Sequence, residues 1–263
     1  SAAMIFGAED RVERLPFFRD LTKSLIHHCF EEEWFSKSGG TAGIDYIVNK
    51  LSFSTAWLKD RQLELIRALF FVMKDMPQDL PANVRVQAKD VLQAIIRKCN
   101  EGTPTSDIGT ANTLLHNVSN KLVGEVSHMN RHVREAAQDG LRLLAEVVGA
   151  KLYEIVKPVK ELVLQPIFNK PLRALPFSVQ IGYIDALNFC LDMENEVLQF
   201  EDRLNRSLME TLALADAEDE TLAPKPLEHR SAESIVNLRV SCLRLLTTAI
   251  RLPAFNASPH AQH

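Results

Sequence analysis

Four stretches of this chain can be laid over one another, and that self-similarity limits its possible folds more than any single residue does. They occupy residues 84–92, 133–141, 179–187 and 238–246, with starts 49, 46 and 59 residues apart. Each opens on an aliphatic residue (Val84, Val133, Val179, Leu238) and carries Leu at its ninth place (Leu92, Leu141, Leu187, Leu246). A small residue stands at the fourth or fifth place: Ala88, Ala137, Gly182 or Cys242. The seventh place is Asp90, Asp139 and Asp185 in the first three and Arg244 in the last. The period is near or somewhat above the roughly 40–47 residues of a HEAT or armadillo unit. A chain built this way is a scaffold by default, so function is expected on surfaces rather than in a pocket.

The helical reading holds along the whole chain. Only 10 glycines and 12 prolines punctuate 263 residues, and Leu/Ala/Arg/Glu-rich segments dominate. Leu15, Phe18, Leu21, Leu25 and Phe30 recur at near-helical spacing over residues 9–33, with Pro16 moving the start toward Leu15. Residues 36–41 read as a turn because of Gly39-Gly40, with a short helix over 42–51. One long amphipathic helix is expected over 56–76, with Trp57, Leu58, Leu63, Ile66, Leu69, Phe70 and Met73 as its stripe. Pro77 and Pro81 bracket a turn before a helix that ends near Cys99.

A loop over 100–109 follows, then a pair over 110–126 and 130–148, with Gly149 placed to cap the second. Pro158 kinks the helix over 150–164. Pro166, Pro171 and Pro176 rule out regular helix over 165–176. Helices resume over 178–193, 200–215 and 231–252; residues 216–230 read as an exposed acidic loop. The predicted fold is an all-α, HEAT/armadillo-type solenoid of about five antiparallel pairs: 9–51, 54–99, 110–148, 150–193 and 200–252, then a polar tail over 253–263. In the last four pairs the shared motif falls on the second helix, whose aliphatic stripe packs the inner layer. The mid-helix aspartates are expected to cap a neighbouring turn or pair with an arginine of the next repeat. Exposed apolar strips are expected on the terminal pairs.

Chemistry-bearing clusters are few. His128 and His132 stand four apart near Glu125, but the pair straddles a turn and no Glu follows His128, so no metal site is expected. His27-His28-Cys29 is rich in ligand types, yet adjacent helical residues point about 100° apart. Cys29, Cys99, Cys190 and Cys242 lie far apart in helical segments and read as free thiols. The sequons at Asn117 and Asn256 read as chance matches. No phosphate-binding loop, nucleophile elbow or kinase motif set is present, so no catalytic residue, cofactor or metal is assigned. The acidic run at 216–220 reads as a solvated connection, with a basic partner segment as the sharper alternative. Trp34-Phe35 is expected to be a packed corner.

A net charge of −4 and a pI of about 6.1 argue against broad nucleic-acid binding, although a local basic patch is compatible with them. No apolar run approaches the roughly 18 residues of a membrane span. The start, Ser1-Ala2-Ala3-Met4, lacks a signal-peptide layout and reads as the beginning of an excised piece of a longer chain.

One stretch carries a specific resemblance. Ile167-Phe168-Asn169-Lys170-Pro171-Leu172-Arg173-Ala174-Leu175-Pro176-Phe177, running on through Val179-Gln180-Ile181-Gly182-Tyr183-Ile184-Asp185-Ala186, closely resembles the TRRAP family, including its fungal members. Ala213-Leu214-Ala215-Asp216-Ala217-Glu218-Asp219-Glu220 resembles the continuation, and Gly43-Ile44-Asp45-Tyr46-Ile47 is a weaker match. The main match spans residues 167–220, about a fifth of the chain. These are large transcription-associated pseudokinases of the phosphatidylinositol-kinase-related group. The resemblance implies a piece of the HEAT-repeat body, well before the kinase-like domain, so no catalytic residue carries over.

It implies a nuclear scaffold in SAGA-type histone acetyltransferase complexes. Its partners would be other coactivator subunits, transcriptional activators and the rest of its own chain, with no direct nucleic-acid or membrane contact. The alternatives are a regulatory helical-repeat segment of an active kinase of the same wider group and a nuclear-transport-type adaptor. Selective capture of localisation peptides would mark the last.

Overall fold

The computed structural model describes residues 15–51, 53–77, 83–193, 196–222 and 232–257. The expected helix start at Glu9, the turn at Pro81, Pro224 and Pro226, and the end of the polar tail lie outside them. Among the described residues the chain is all-helical, with no strand. No described helix is long and apolar enough to cross a membrane.

The helices are α1 (Pro16–Phe30), α2 (Trp34–Asn49), α3 (Thr55–Lys59), α4 (Gln62–Asp75), α5 (Asn83–Asn100), α6 (Leu114–Glu125) and α7 (Arg131–Val148). They continue with α8 (Leu152–Val156), α9 (Glu161–Phe168), α10 (Phe177–Leu191), α11 (Asp202–Asp216), α12 (Asp219–Leu222), α13 (Ala232–Arg251) and α14 (Pro253–Asn256). Short 3-10 turns lie at Thr105–Asp107, Lys157–Val159 and Leu172–Ala174. The chain divides into two compact units, residues 1–121 with 139–150 and residues 122–138 with 151–263; the division falls inside α6 and α7.

In the first unit α1 packs on α2 and α4 on α5, while α1 also meets α4 and α2 meets α5. That is a two-layer arrangement of helix hairpins, as the repeat reading requires. The α2–α5 layer buries Ile44, Ile47, Val48, Val91, Leu92, Ile95 and Ile96. Asp139 on the unit's share of α7 accepts an ion pair from Lys89 on α5 at 2.6 Å. Lys121 on its share of α6 sits 5.6 Å over the Phe70 ring of α4.

In the second unit α10 packs on α13, α13 on α11, and α9 on α10. Gly182 of α10 lies against the Ser127 carbonyl, where an added Cβ would approach to 2.6 Å. The small place of this motif therefore permits a helix-to-backbone contact that no side chain would fit.

Local chemistry explains several helix ends. Pro16 stands at the first position of α1, where its missing N–H costs nothing. Ser54 Oγ accepts the Trp57 N–H at 3.3 Å, Thr113 Oγ the His116 N–H at 3.1 Å, and Asn130 Oδ1 the His132 N–H at 2.9 Å. α7 ends as expected at Gly149, with φ of +73° and paired bonds from Gly149 N to Glu146 O and from Ala150 N to Ala145 O.

Five readings need correction. Residues 36–41 are not a turn: α2 runs unbroken from Trp34 to Asn49. Its glycines are there for packing. An added Cβ at Gly40 would lie 2.7 Å from Leu25 O, and one at Gly43 would lie 2.3 Å from Leu25 Cδ2. The stretch over 56–76 is two helices, broken at Asp60–Arg61, where the Arg61 guanidinium covers the Trp57 ring at 4.1 Å and donates to Trp57 O at 2.9 Å.

Helix also continues through Pro166 to Phe168, because losing one ladder bond is outweighed by burying Val163, Leu164 and Ile167. The stretch read as an exposed loop from 216 begins with α12, which buries Leu222. The tail contains α14, whose Phe255 ring lies 5.5 Å from that of Phe200. At Pro158 the expected kink is present as the 3-10 turn between α8 and α9.

Candidate docking surfaces

The repeated motif resolves into a buried stripe and a charged edge. Val84, Val133 and Leu238, the small residues Ala88, Ala137, Gly182 and Cys242, and Leu92, Leu141 and Leu187 are all buried. Val179 and Leu246 are only half-buried, and in the last motif Leu245 takes the inner place. Two of the three aspartates pair between repeats, each with a base of the preceding motif rather than the next. Asp139 joins Lys89 at 2.6 Å, while Asp185 joins the buried Arg134 at 2.8 Å. Arg134 also donates to the carbonyls of His128 (2.9 Å) and Met129 (3.0 Å), so each of its three guanidinium nitrogens has a partner. Asp90 is exposed and has no ion pair among the described residues.

The histidine and cysteine clusters are held by ordinary contacts. His128 Nδ1 accepts the Asn130 N–H at 2.9 Å at the start of α7. His28 Nδ1 lies 3.0 Å from Glu31, and His27 Nε2 lies 3.9 Å from the same carboxylate. Glu31 is held below its ordinary range, first by a hydrogen bond from Ser36 and then by His28. Burial pushes the Cys29 thiol up to about 11, against smaller opposing effects of Thr41 and Lys37. It pushes Cys99, Cys190 and Cys242 up to about 12. Four protonated, enclosed thiols are poor nucleophiles and poor ligands.

A shallow recess of about 220 Å³ on the first unit is lined by Arg19, Thr22, Lys23, Ile26, Asp60, Arg61 and Glu64. Its cations and carboxylates nearly balance, and it brings together no nucleophile with a base.

The exposed large apolar side chains fall mostly on the first and last helix pairs. Val236, Val240, Leu243 and Ile250 follow one face of α13, and Met209 and Leu212 lie on α11. At the other end of the sequence Phe17, Phe30, Trp34, Phe35 and Tyr46 are exposed on α1 and α2. Trp34 and Phe35, expected to be packed, are 43% and 58% exposed. They stand on the first turn of α2, and nothing in the sequence pattern distinguishes that from a buried corner. In the acidic run, Asp219 is tied to Arg239 at 2.6 Å.

Sequence reasoning missed the most unusual side chain of the first unit. Lys37 is fully buried; its Nζ donates to the carbonyls of Glu31 and Glu32, the latter at 2.9 Å, and meets Asp75 at 2.9 Å. The available signal was the small pair Gly40 and Gly43 at helical spacing, which marks a close contact of α2 with Leu25 of α1 one turn from Lys37.

All 263 residues match the protein family described as the Tra1 HEAT repeat ring region. The chain belongs to that family. Its Tra1-type relatives include the SAGA complex/NuA4 acetyltransferase complex subunit TRA1 of Saccharomyces cerevisiae, 35% identical over 97% of this chain. The Schizosaccharomyces pombe subunit of the same description is 33% identical over 98% of the chain. The human transformation/transcription domain-associated protein is 29% identical over 96%. Identity is thus higher to the two fungal Tra1 proteins. The chain spans 7% of the length of each of these relatives. The Tra1 assignment extends the resemblance from residues 167–220 to the full sequence and accounts for the all-helical, HEAT-type fold.

Proposed function

We propose that this chain is a non-catalytic scaffold segment of a nuclear transcription coactivator subunit that works within acetyltransferase complexes. One observation carries the reading: similarity along nearly the whole chain to subunits described as SAGA and NuA4 components in two yeasts. The mechanism is geometric. Helix hairpins locked by buried aliphatic stripes and by the Lys89–Asp139 and Arg134–Asp185 pairs present fixed surfaces. Neighbouring subunits and amphipathic activator segments dock on those surfaces, and the rest of the longer polypeptide packs against others. In this reading five helix pairs, with the motif on the second helix of the last four, make up the segment.

The test is a pull-down of the 263-residue chain from nuclear extract, read by mass spectrometry, with a Leu141→Asp control for folding. Enrichment of acetyltransferase-complex subunits supports the proposal. A folded chain that captures none of them, or that binds ATP saturably, overturns it.

A further inference from the structure

We propose that the α1–α2 connection is a docking patch for a basic peptide segment, one bearing lysine or arginine side chains, from another protein. It deepens the docking role given above and rests on it. Phe30-Glu31-Glu32-Glu33-Trp34-Phe35 places three carboxylates between aromatic side chains. Phe30, Glu32, Glu33, Trp34 and Phe35 are exposed, and Glu31 is half-buried. Phe30 meets Phe71 at a tilt of 53° and 4.9 Å, and the Trp34 and Phe35 rings meet edge-on at 6.1 Å. The aromatic surface is therefore two ring pairs flanking the three glutamates rather than scattered single residues.

The connection is held from beneath. Both Glu31 and Glu33 have extended backbones at the two helix ends. The carbonyls of Glu31 and Glu32 are bound by the ammonium of Lys37, which Asp75 neutralises in turn. A buried lysine spent on two loop carbonyls fixes the backbone and leaves the Glu32 and Glu33 carboxylates at the surface. With Lys37 matched by Asp75 and Glu31 engaged by His28 and Ser36, the charges of Glu32 and Glu33 are left over.

That combination selects the occupant. Aromatic faces attract guanidinium and ammonium groups, and carboxylates accept charge-assisted hydrogen bonds from them. An acidic segment or a phosphate backbone meets like charge here. A purely apolar helix would have to desolvate the carboxylates without pairing them.

The probe is a short synthetic peptide of alternating arginine and alanine, titrated into the 263-residue chain at low salt. A glutamate–alanine peptide is the control. Trp34 is the exposed one of the two tryptophans, Trp57 being buried, so its emission reports occupancy, and a Trp57→Phe variant isolates the signal. The expected result is a saturable change in emission with the arginine peptide alone. It weakens about tenfold in a Glu32→Gln, Glu33→Gln double variant and weakens further with salt. Phe35→Ala weakens it as well, while thermal melts of these surface variants match the parent.

No saturable change in a folded chain, equal binding of both peptides, or undiminished binding by the double variant would overturn the patch. If peptide binding fails while the pull-down still recovers complex subunits, the patch is wrong and the scaffold reading stands. Peptide binding with no subunits recovered means the reverse.

Discussion

Lys37 shows how much one side chain can organise. Burying an ammonium is expensive unless it is paired and fully hydrogen-bonded, and here two carbonyls and the Asp75 carboxylate meet it. Asp75→Asn removes the counter-charge but leaves the carbonyls. It should cost about 2 kcal/mol, below the usual figure for a broken buried pair because Asp75 is half-exposed; urea denaturation reads this. The adjacent glycines make opposite predictions. Gly39 has nothing within 4 Å of an added Cβ, so Gly39→Ala should raise stability by about 0.5–1 kcal/mol. Gly40→Ala drives a methyl onto Leu25 O and should lower it by about 1–3 kcal/mol. Equal effects in thermal melts would mean that α2 does not approach α1 as described.

The thiols set an alkaline limit. Each folded-state value lies above the ordinary 9.0, so as pH rises the unfolded chain loses its cysteine protons first. Their contribution is intact below pH 9 and is lost as pH climbs toward 11 and 12. Melting temperature should fall across that window, and less steeply in Cys190→Ala. Ellman's reagent should find native thiols unreactive at pH values where the denatured chain reacts.

Among the elements, the between-repeat ion pairs differ in depth. Asp185 answers the buried Arg134, whereas Asp139 and Lys89 are both about one-third exposed. Asp185→Ala strands an arginine in the interior and should cost about 3 kcal/mol. Asp139→Ala should cost under about 1 kcal/mol. Similar values from chemical denaturation would remove the distinction.

The motif that locates these pairs was legible in sequence because a stripe of aliphatic, small and leucine positions repeats wherever a helix lines an inner layer. Helix ends were legible at Ser54, Asn130 and Gly149, whereas the helix expected from 110 starts only at Leu114, after the Thr113 cap. What was hidden depended on three-dimensional contacts and burial that no local pattern carries. Gly39-Gly40 reads as a turn until Leu25 is placed against Gly40. Pro166 reads as a breaker until Val163, Leu164 and Ile167 are seen to be buried. Arg61 breaks α3 from α4 through Trp57, four residues back. The exposed Trp34 and Phe35 and the buried Lys37 invert the usual assignment of residue type to environment, so composition could not reveal them.

For the whole molecule, one buried and one exposed position make opposite predictions. Leu141 is fully enclosed, and Leu141→Asp buries an unpaired carboxylate at a cost of several kcal/mol. Glu220 is exposed, and Glu220→Lys should leave stability nearly unchanged. The proposed scaffold role makes this segment a source of shape for an assembly. Its most direct test is to place each substitution in the complete longer protein and measure which acetyltransferase subunits, and how much acetyltransferase activity, co-purify. Leu141→Asp should loosen the segment to limited proteolysis and strip away both, while Glu220→Lys should retain both. A loosened segment that keeps its full set of subunits and activity would contradict it.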